Sequence, residues 1–513
     1  MTLRSLSNLL ICVVVCALGA CGQLPPRPDY PPEVALAPGA GGRLDSTIGP
    51  AEAQHPGQSA FRLVVEGNEA FLTRAQSTRV AVRSIDVQTY LWRADLTGMV
   101  LAQLLLDAAD RGVRVRLLLD DMDARAKNAG LAALAAHPRI SVRLFNPFIS
   151  RWGGLLMLGE GVLDFDRLNR RMHNKSWIAD NRLALVGGRN IGDEYFSASD
   201  DVNFVDLDYS MIGPVVRDVS ASFDRYWNSA AAYSMEQLDP EAVNTPALEK
   251  LRVNLADRLR EANDGRYVEA LRSDDAVRRL VAGDWTMQWT AKYKFVADDP
   301  RKIDMADGDV ERAKVALALA PLMRDAQKNI VLISPYFVPG VQGTRGLVKS
   351  AEGGRQVRVL TNSLAANDVA AVHGGYARYR RSLLEGGVQL WELKPLQSGA
   401  RASAFGSSGA SLHTKALAVD GHTLFVGSYN VDPRSTWLNC EQGVLVESPE
   451  LARQLDDIFA RQTDGKHAWR VTLQEDSLHW SDDKEQFDSD PKASMWRRFQ
   501  SWIIRTLGMD SQL

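Results

Sequence analysis

The sequence predicts an α/β protein made of two similar halves. Three observations carry this. A polar motif occurs twice with identical internal spacing, a strand–helix–strand pattern precedes each copy, and the bulk composition is that of an ordinary globular chain. The chain has 513 residues, of which 45% are hydrophobic and 24% charged, which excludes a disordered chain, a collagen-like fibre and a small disulfide scaffold. That length admits two or three domain-sized units or one large duplicated unit. The formal net charge is -3, so no global basic balance points to nucleic acid as a partner.

The first copy of the motif runs Met172-His173-Asn174-Lys175 to Asp180, and after six residues reads Gly187-Gly188-Arg189-Asn190. The second runs Leu412-His413-Thr414-Lys415 to Asp420, and after six residues reads Gly427-Ser428-Tyr429-Asn430. His and Asn stand 17 positions apart in both. Upstream, Ile85 to Trp92 reads as a strand, Leu101, Leu104, Leu105 and Ala108 mark an amphipathic helix, and Val113 to Leu119 forms a second strand. The other half offers Ile330 to Phe337, a helix near Val348, and Val357 to Leu360. Later strands also correspond, Ile140 to Phe145 before Pro147 and Val388 to Leu393 before Pro395. Such units predict parallel, buried sheets. The halves are assigned to residues 58–235 and 311–465, joined by a charged, mainly helical insert at 236–310 and followed by a tail at 466–513.

The spacing has chemical content. In a strand, residues i and i+2 share a face, so His173 projects with Lys175 and His413 with Lys415. Asp180-Asn181 and Asp420-Gly421 are hairpin-turn dipeptides, which gives Asp180 and Asp420 a part in the turn although they complete the motif. The small residues Gly187-Gly188 and Gly427-Ser428 let backbone approach a ligand, and Asn190 and Asn430 can donate amide hydrogens to it. A doubled set of His, Lys and Asn suits a phosphate oxyanion: lysines neutralise charge, amides hydrogen-bond, and two imidazoles divide nucleophile and acid roles. No metal is expected, since carboxylates are few around the motifs and His-x-Lys is no zinc pair.

Each imidazole needs an acceptor on its other ring nitrogen. Aligning the halves on Pro214 and Pro449 makes Asp206 equivalent to Glu441, eight residues before each proline, with Asp208 the alternative in the first half. His55, His137, His422, His467 and His479 read as surface or turn residues, and Cys440 as a small buried hydrophobe. His373, in a helix over 370–384, either faces the pocket or packs. The apolar run Trp152 to Leu158 fits a lipid-facing lip or core packing equally.

Residues 1–20 read as a secretory signal: Arg4 begins it, Leu9 to Leu18 is apolar, and Gly19-Ala20 are small. The apolar run is shorter than the roughly 20 residues of a membrane span. Leu18-Gly19-Ala20-Cys21 resembles a bacterial lipobox, which implies cleavage before Cys21 and its diacylation, with an ordinary signal peptide as the alternative. The protein is then a periplasm-facing lipoprotein, and Gly22 after the cysteine implies the outer membrane. With Cys12 and Cys16 removed and Cys21 modified, Cys440 has no disulfide partner and burial must hold the fold. Residues 21–57, rich in Pro, Gly and Ala, read as a tether. At the other end Trp496, Phe499, Ile503 and Leu507 recur at helical spacing among Arg497, Arg498 and Arg505, the make-up of an interfacial helix or of one docked on the body.

At the doubled motif the chain resembles the phospholipase D superfamily, over nearly all of residues 56–465. Within it the chain is most similar to the bacterial cardiolipin synthases of the C type, through Phe145-Asn146-Pro147, Asp166 to Met172, Gly187 to Phe196, Leu360 to Asp368 and Asp432 to Thr436. The lipobox departs from that subfamily's general pattern and leaves cellular side and physiological substrate open. The resemblance implies two α/β/α lobes related by a pseudo-twofold, with one active site at their interface. It also implies a two-step reaction without cofactor. One histidine attacks a lipid phosphodiester to give a phosphohistidine while the other protonates the leaving alcohol, and an acceptor alcohol then attacks. Family precedent makes His173 the nucleophile and His413 the acid/base. The substrates so implied are membrane phospholipids, phosphatidylglycerol and possibly phosphatidylethanolamine, with no nucleic acid. A phospholipase D using water, a nucleic-acid phosphodiesterase and a non-catalytic lipid-binding lipoprotein are the rival readings.

Overall fold

Nineteen strands among the described residues form two sheets. The computed structural model describes residues 24–26, 30–124, 128–149, 164–262, 266–273, 286–306, 308–367, 369–395 and 412–507. The leader with Cys21 and the run Trp152 to Leu158 lie outside them. The first sheet holds β1 (Ser59–Val64), β2 (Ser84–Thr89), β3 (Arg114–Asp120), β4 (Ile140–Phe145), β5 (Ser176–Ala179), β6 (Leu183–Gly187), β7 (Asp208–Ile212), β8 (Ala232–Ser234) and β9 (Gln288–Thr290). The second holds β10 (Tyr293–Ala297), β11 (Asn329–Ile333), β12 (Gln356–Asn362), β13 (Gln389–Leu393), β14 (Ala416–Val419), β15 (Thr423–Gly427), β16 (Gln442–Glu447), β17 (Ala468–Gln474), β18 (Ser477–Ser481) and β19 (Gln486–Phe487). Their orders are β8-β4-β3-β2-β5-β6-β7-β1-β9 and β10-β16-β15-β14-β11-β12-β13-β17-β18-β19.

The sheets are mixed rather than parallel throughout. β2, β3 and β4 run parallel, as do β11, β12 and β13, because helices cross between them; the motif hairpins β5–β6 and β14–β15 then add antiparallel. The repeated unit is thus a parallel triplet with a hairpin on its first strand. Of the helices, α1 (Leu96–Asp110) starts at Asp95, whose carboxylate accepts from the Gly98 N–H. α2 (Pro214–Trp227) and α4 (Pro449–Gln462) both begin with proline at N1, where its missing N–H costs nothing. Between them in sequence lies α3 (Ala370–Ala377), and α5 (Met495–Leu507) ends the described chain.

These layers build three large cores, and Ile48, Ala60 and Ile212 form a small fourth cluster. The central one is shared: Ile178, Val186, Met211 and Phe223 pack in one cluster with Ile333, Ala418, Val426 and Leu455. α2 and α4 belong to it. The outer faces of the two sheets carry separate clusters, one with α1 and one with the helix Gly340–Glu352. The shared cluster makes the two lobes one packed body.

Four expectations need correction. The insert is not only helical: besides the helix Thr245–Ala262 it supplies β9 to the first sheet and β10 to the second, so the second lobe begins before residue 311. The tail is not separate, since β17 to β19 extend the second sheet from β13. The presumed tether docks from about residue 33: Asn228 donates to the Glu33 carbonyl (2.7 Å), the Ala35 N–H donates to Asp224 (2.8 Å), and Asp45 in the helix Arg43–Gln54 takes both Arg83 and Arg182. Charge pairing, invisible to a composition reading, holds it there. The helix expected over 370–384 is two, α3 and Arg380–Glu385.

Candidate active site

Both motifs reach the site by the same backbone path. Asp180 (φ 51°), Asn181 (φ 52°), Asp420 (φ 56°) and Gly421 (φ 70°) take the left-handed conformation that a two-residue hairpin demands. The Asp180 carboxylate accepts from the N–H groups of Val82, Arg83 and Ser84, and that of Asp420 from those of Gln327, Lys328 and Asn329. Each aspartate therefore pins its turn to the start of β2 or β11, at the opposite end of the hairpin arm from the histidine.

The histidines precede their strands, on extended segments paired across the lobe interface. The His173 N–H donates to the Cys440 carbonyl (2.9 Å) and the His413 N–H to the Val205 carbonyl (2.8 Å). Cys440 and Val205 immediately precede Glu441 and Asp206, so the backbone pairing delivers each carboxylate to the other lobe's imidazole. His173 Nδ1 lies 3.0 Å from Glu441 Oε2, and His413 Nδ1 lies 2.6 Å from Asp206 Oδ2. Asp208, the alternative to Asp206, instead holds Arg74 (3.0 Å) and Arg189 (3.3 Å).

Lys175 and Lys415 are buried, and each Nζ donates to the carbonyl of its own motif histidine at 2.6 Å. Asn190 commits one amide hydrogen to Tyr195 Oη (2.9 Å) and accepts from the Leu91 N–H (3.2 Å), so the loop takes part of the capacity expected to serve a ligand. Asn430 is buried with its Oδ1 unpartnered among the described residues. Aromatic rings stand edge-on to both imidazoles: Tyr90 to His173 at 5.3 Å between centroids, Tyr195 to His413 at 5.2 Å. Phe204 lies 5.4 Å from His413 and borders an inter-lobe cleft of ≈ 890 Å³, whose far wall includes Lys394 and Ile458.

The electrostatics follow from burial of this cationic set. Burial, opposed by Glu441 and reinforced by the two lysines, brings His173 down to about 4. Burial and then Lys415 and Lys175 push His413 well below the ordinary imidazole value. Burial, opposed by Glu441 and assisted by Lys415, lowers Lys175 to about 7. Both imidazoles are neutral at neutral pH, with Nδ1 protons turned to carboxylates and Nε2 lone pairs left for chemistry.

The two carboxylates differ. Burial raises Glu441, but His173, Lys175 and a hydrogen bond from Ser428 Oγ outweigh it and hold the group below its ordinary value. Asp206 stays raised by burial, which Lys415 and Arg189 offset only in part. The first half has Gly188 where the second has Ser428, and a Cβ there would lie 2.2 Å from Asp206 Oδ1. The shorter carboxylate thus requires the glycine, while the longer one gains a hydroxyl donor.

Two residues escaped the sequence reading. Asp120, the last residue of β3, accepts from the Met172 N–H (2.8 Å) and pairs with buried Arg171 (3.2 Å). Asn362, the last residue of β12, holds Leu412 by its N–H (3.3 Å) and its carbonyl (3.1 Å). Each positions the residue before a motif histidine. Comparing the ends of the corresponding strands, rather than the motifs alone, would have found them. His373 does not join the site; it is buried against Arg380 (3.0 Å), which fills the space between His373, Glu392 and Asp490. His137 is a turn residue, one of the two alternatives expected of it, and is buried there with a bond to Asp110 at 3.1 Å.

Two α/β lobes, each lending a carboxylate to the other's histidine around paired lysines, define a phosphodiester-processing site of the phospholipase D type. The chain belongs to the family described as cardiolipin synthase, PLD-like domain, which matches it twice, over residues 73–227 and 319–463. It is similar to cardiolipin synthase C of Escherichia coli (strain K12), with 41% identity over 473 residues, 89% of this chain and 96% of that protein. An uncharacterized protein of Helicobacter pylori (strain ATCC 700392 / 26695) is 31% identical over 430 residues, covering 83% of each chain. The crystal structure of phosphatidylserine synthase from Haemophilus influenzae Rd KW20 superposes with a TM-score of 0.55 at 13% identity, over 90% of this chain and 96% of that one, which bears on the fold alone.

Proposed function

We propose that this chain is a phosphatidyltransferase that makes cardiolipin from phosphatidylglycerol and a second glycerophospholipid. Its likeness to cardiolipin synthase C over most of both chains supports the substrate class. The observation that carries the chemistry is the crossed pairing of His173 with Glu441 and His413 with Asp206. Glu441, held ionised by His173, Lys175 and Ser428, fixes Nδ1 of His173 and leaves its Nε2 lone pair for attack, which supports His173 as nucleophile and His413 as acid.

His173 Nε2 forms a bond to phosphorus while the bond from phosphorus to the headgroup oxygen breaks. That oxygen leaves as the alcohol with the proton that His413 Nε2 took from solvent when the anionic substrate bound. The acceptor hydroxyl of phosphatidylglycerol then gives its proton to His413 as its oxygen forms the new bond to phosphorus, and the bond to His173 breaks. Lys175 and Lys415 stabilise the charge on the phosphoryl oxygens in both steps. The site starts with neutral imidazoles, so the phosphodiester's negative charge is what makes an imidazolium at His413 favourable.

The same proposal places the protein on a membrane through acylated Cys21, facing the periplasm, with the outer membrane favoured by Gly22. The test incubates the purified protein with phosphatidylglycerol, with and without phosphatidylethanolamine, and resolves products by mass. Cardiolipin with free glycerol or ethanolamine supports transfer and identifies the donor. Phosphatidic acid as sole product makes the protein a hydrolase.

A further inference from the structure

We infer that α5 is a docking element for a bilayer surface carrying anionic lipid, and that it seats the active site against that surface. The inference deepens the lipid reading of the site and rests on it for its purpose, though not for its evidence.

The inner face of α5 is fixed. Ser501 is buried against α3, and a Cβ added at Gly374 would lie 2.6 Å from the Ser501 carbonyl oxygen, so the two helices meet backbone to backbone. Arg497 Nε donates to the Leu364 carbonyl (3.0 Å), and Arg498 donates to the carbonyls of Asp490 (2.6 Å) and Ala493 (3.2 Å). The helix cannot roll to hide its other side.

That other side is apolar and bare. Met495, Trp496, Phe499 and Trp502 are 84%, 64%, 48% and 53% exposed, and their spacing puts them on one face. Their rings form a ridge, with 5.6 Å between Trp496 and Phe499 and 6.2 Å between Phe499 and Trp502. A contiguous exposed aromatic patch marks an interaction surface. Charge selects the partner: α5 has no acidic residue, and while Arg497 and Arg498 brace its inner face, Arg505 is exposed. Aromatic rings at headgroup depth with a guanidinium on phosphate are what an anionic bilayer surface accepts. No helix among the described residues is long and apolar enough to span a membrane, so α5 lies along the surface.

Its bracing ties the ridge to the site. Leu364, which Arg497 holds, is two residues after Asn362, and Asn362 grips Leu412 beside His413. Two further exposed aromatics sit on the segments flanking the motifs, Phe165 before the first and Trp437 after the second. Those segments touch across the lobes, where Arg434 donates to the Asn169 carbonyl (2.9 Å).

The test labels the full chain with an environment-sensitive fluorophore at Phe499→Cys, and separately at Val253→Cys on the exposed insert helix. Vesicles of phosphatidylglycerol and phosphatidylcholine, or of phosphatidylcholine alone, are then added. A blue shift at position 499 that is larger with phosphatidylglycerol, and none at 253, is expected. No shift at 499, or equal shifts at both positions, overturns the inference, as does a dimer in solution that buries the ridge without any vesicle response. The triple variant Trp496→Ser, Phe499→Ser, Trp502→Ser should turn over vesicle lipid about tenfold more slowly, given three anchors removed, with monomeric short-chain phosphatidylglycerol unaffected. Equal loss on both substrates overturns the docking role. If wild type processes neither lipid, the functional proposal fails while the vesicle response stands or falls separately.

Discussion

Glu441 of the second lobe holds Nδ1 of His173 in the first at 3.0 Å. The reciprocal bond from Asp206 to His413 makes the arrangement a closed exchange in which neither lobe contains a complete site. Duplication alone would have allowed two separate sites. The exchanged strand bridges, Met172 with Cys440 and Val205 with Leu412, are what merge them.

Substituting either histidine should bring turnover to background, because nucleophile and acid act as a unit. His173→Ala and His413→Ala are each expected to leave no measurable transfer, while EDTA leaves the wild-type rate unchanged. With a substrate whose leaving group needs no proton, His413→Ala should accumulate a phosphoryl adduct on His173, detected by peptide mass. An adduct on another residue would refute the assignment.

The two orienting carboxylates should respond differently to their neighbours. Ser428→Ala removes the hydroxyl bond to Glu441 and should lower kcat about tenfold, as expected for one bond to a charged group. Gly188→Ala drives a Cβ into Asp206 and should abolish activity. Glu441→Gln should cost roughly a hundredfold or more in kcat by losing the ionic hold on His173. Rate measurements on the three variants, with KM resolved, check the order.

Anion binding should take up protons. Lys175 lies at about 7, so a good part of it is neutral at or just above neutral pH. A bound oxyanion favours the Lys175 ammonium and the His413 imidazolium and raises both groups, so protons flow in. Calorimetric titration with inorganic phosphate in two buffers of different ionisation heat should report net uptake. Release, or no exchange, would contradict the burial argument.

Asp120 should matter to stability as well as to rate. Asp120→Ala leaves buried Arg171 with only carbonyl acceptors and no carboxylate, and frees the Met172 N–H, for an expected loss of about 3 kcal/mol in denaturant unfolding. Asp120→Asn keeps an acceptor and should cost less. Equal stability of both variants and wild type would remove Asp120 from its positioning role.

Lipidation is checked directly. Cells fed an alkyne-tagged fatty acid should label the wild-type chain, and Cys21→Ser should not be labelled. Label on the variant would move the modification elsewhere.

The sequence by itself determined the repeat, the site's donors and much of the frame. His173, Lys175, His413 and Lys415 are legible because a reacting centre needs those groups at set spacings, and the hairpin turns at Asp180 and Asp420 because left-handed backbone restricts residue choice. Asp206 and Glu441 were legible as equivalents, since duplication preserves their distance to Pro214 and Pro449. Which histidine each one serves was not, because that depends on pairing between segments more than 200 residues apart. The same reason hid Asp120 and Asn362, whose role is a contact from one strand end to a distant motif. The sheets' outer limits, with β9, β10 and β17 to β19 drawn from insert and tail, were decided by edges that needed partners and by a core large enough to cover both lobes. Local pattern specifies which groups and turns exist; only long-range packing decides which of them meet.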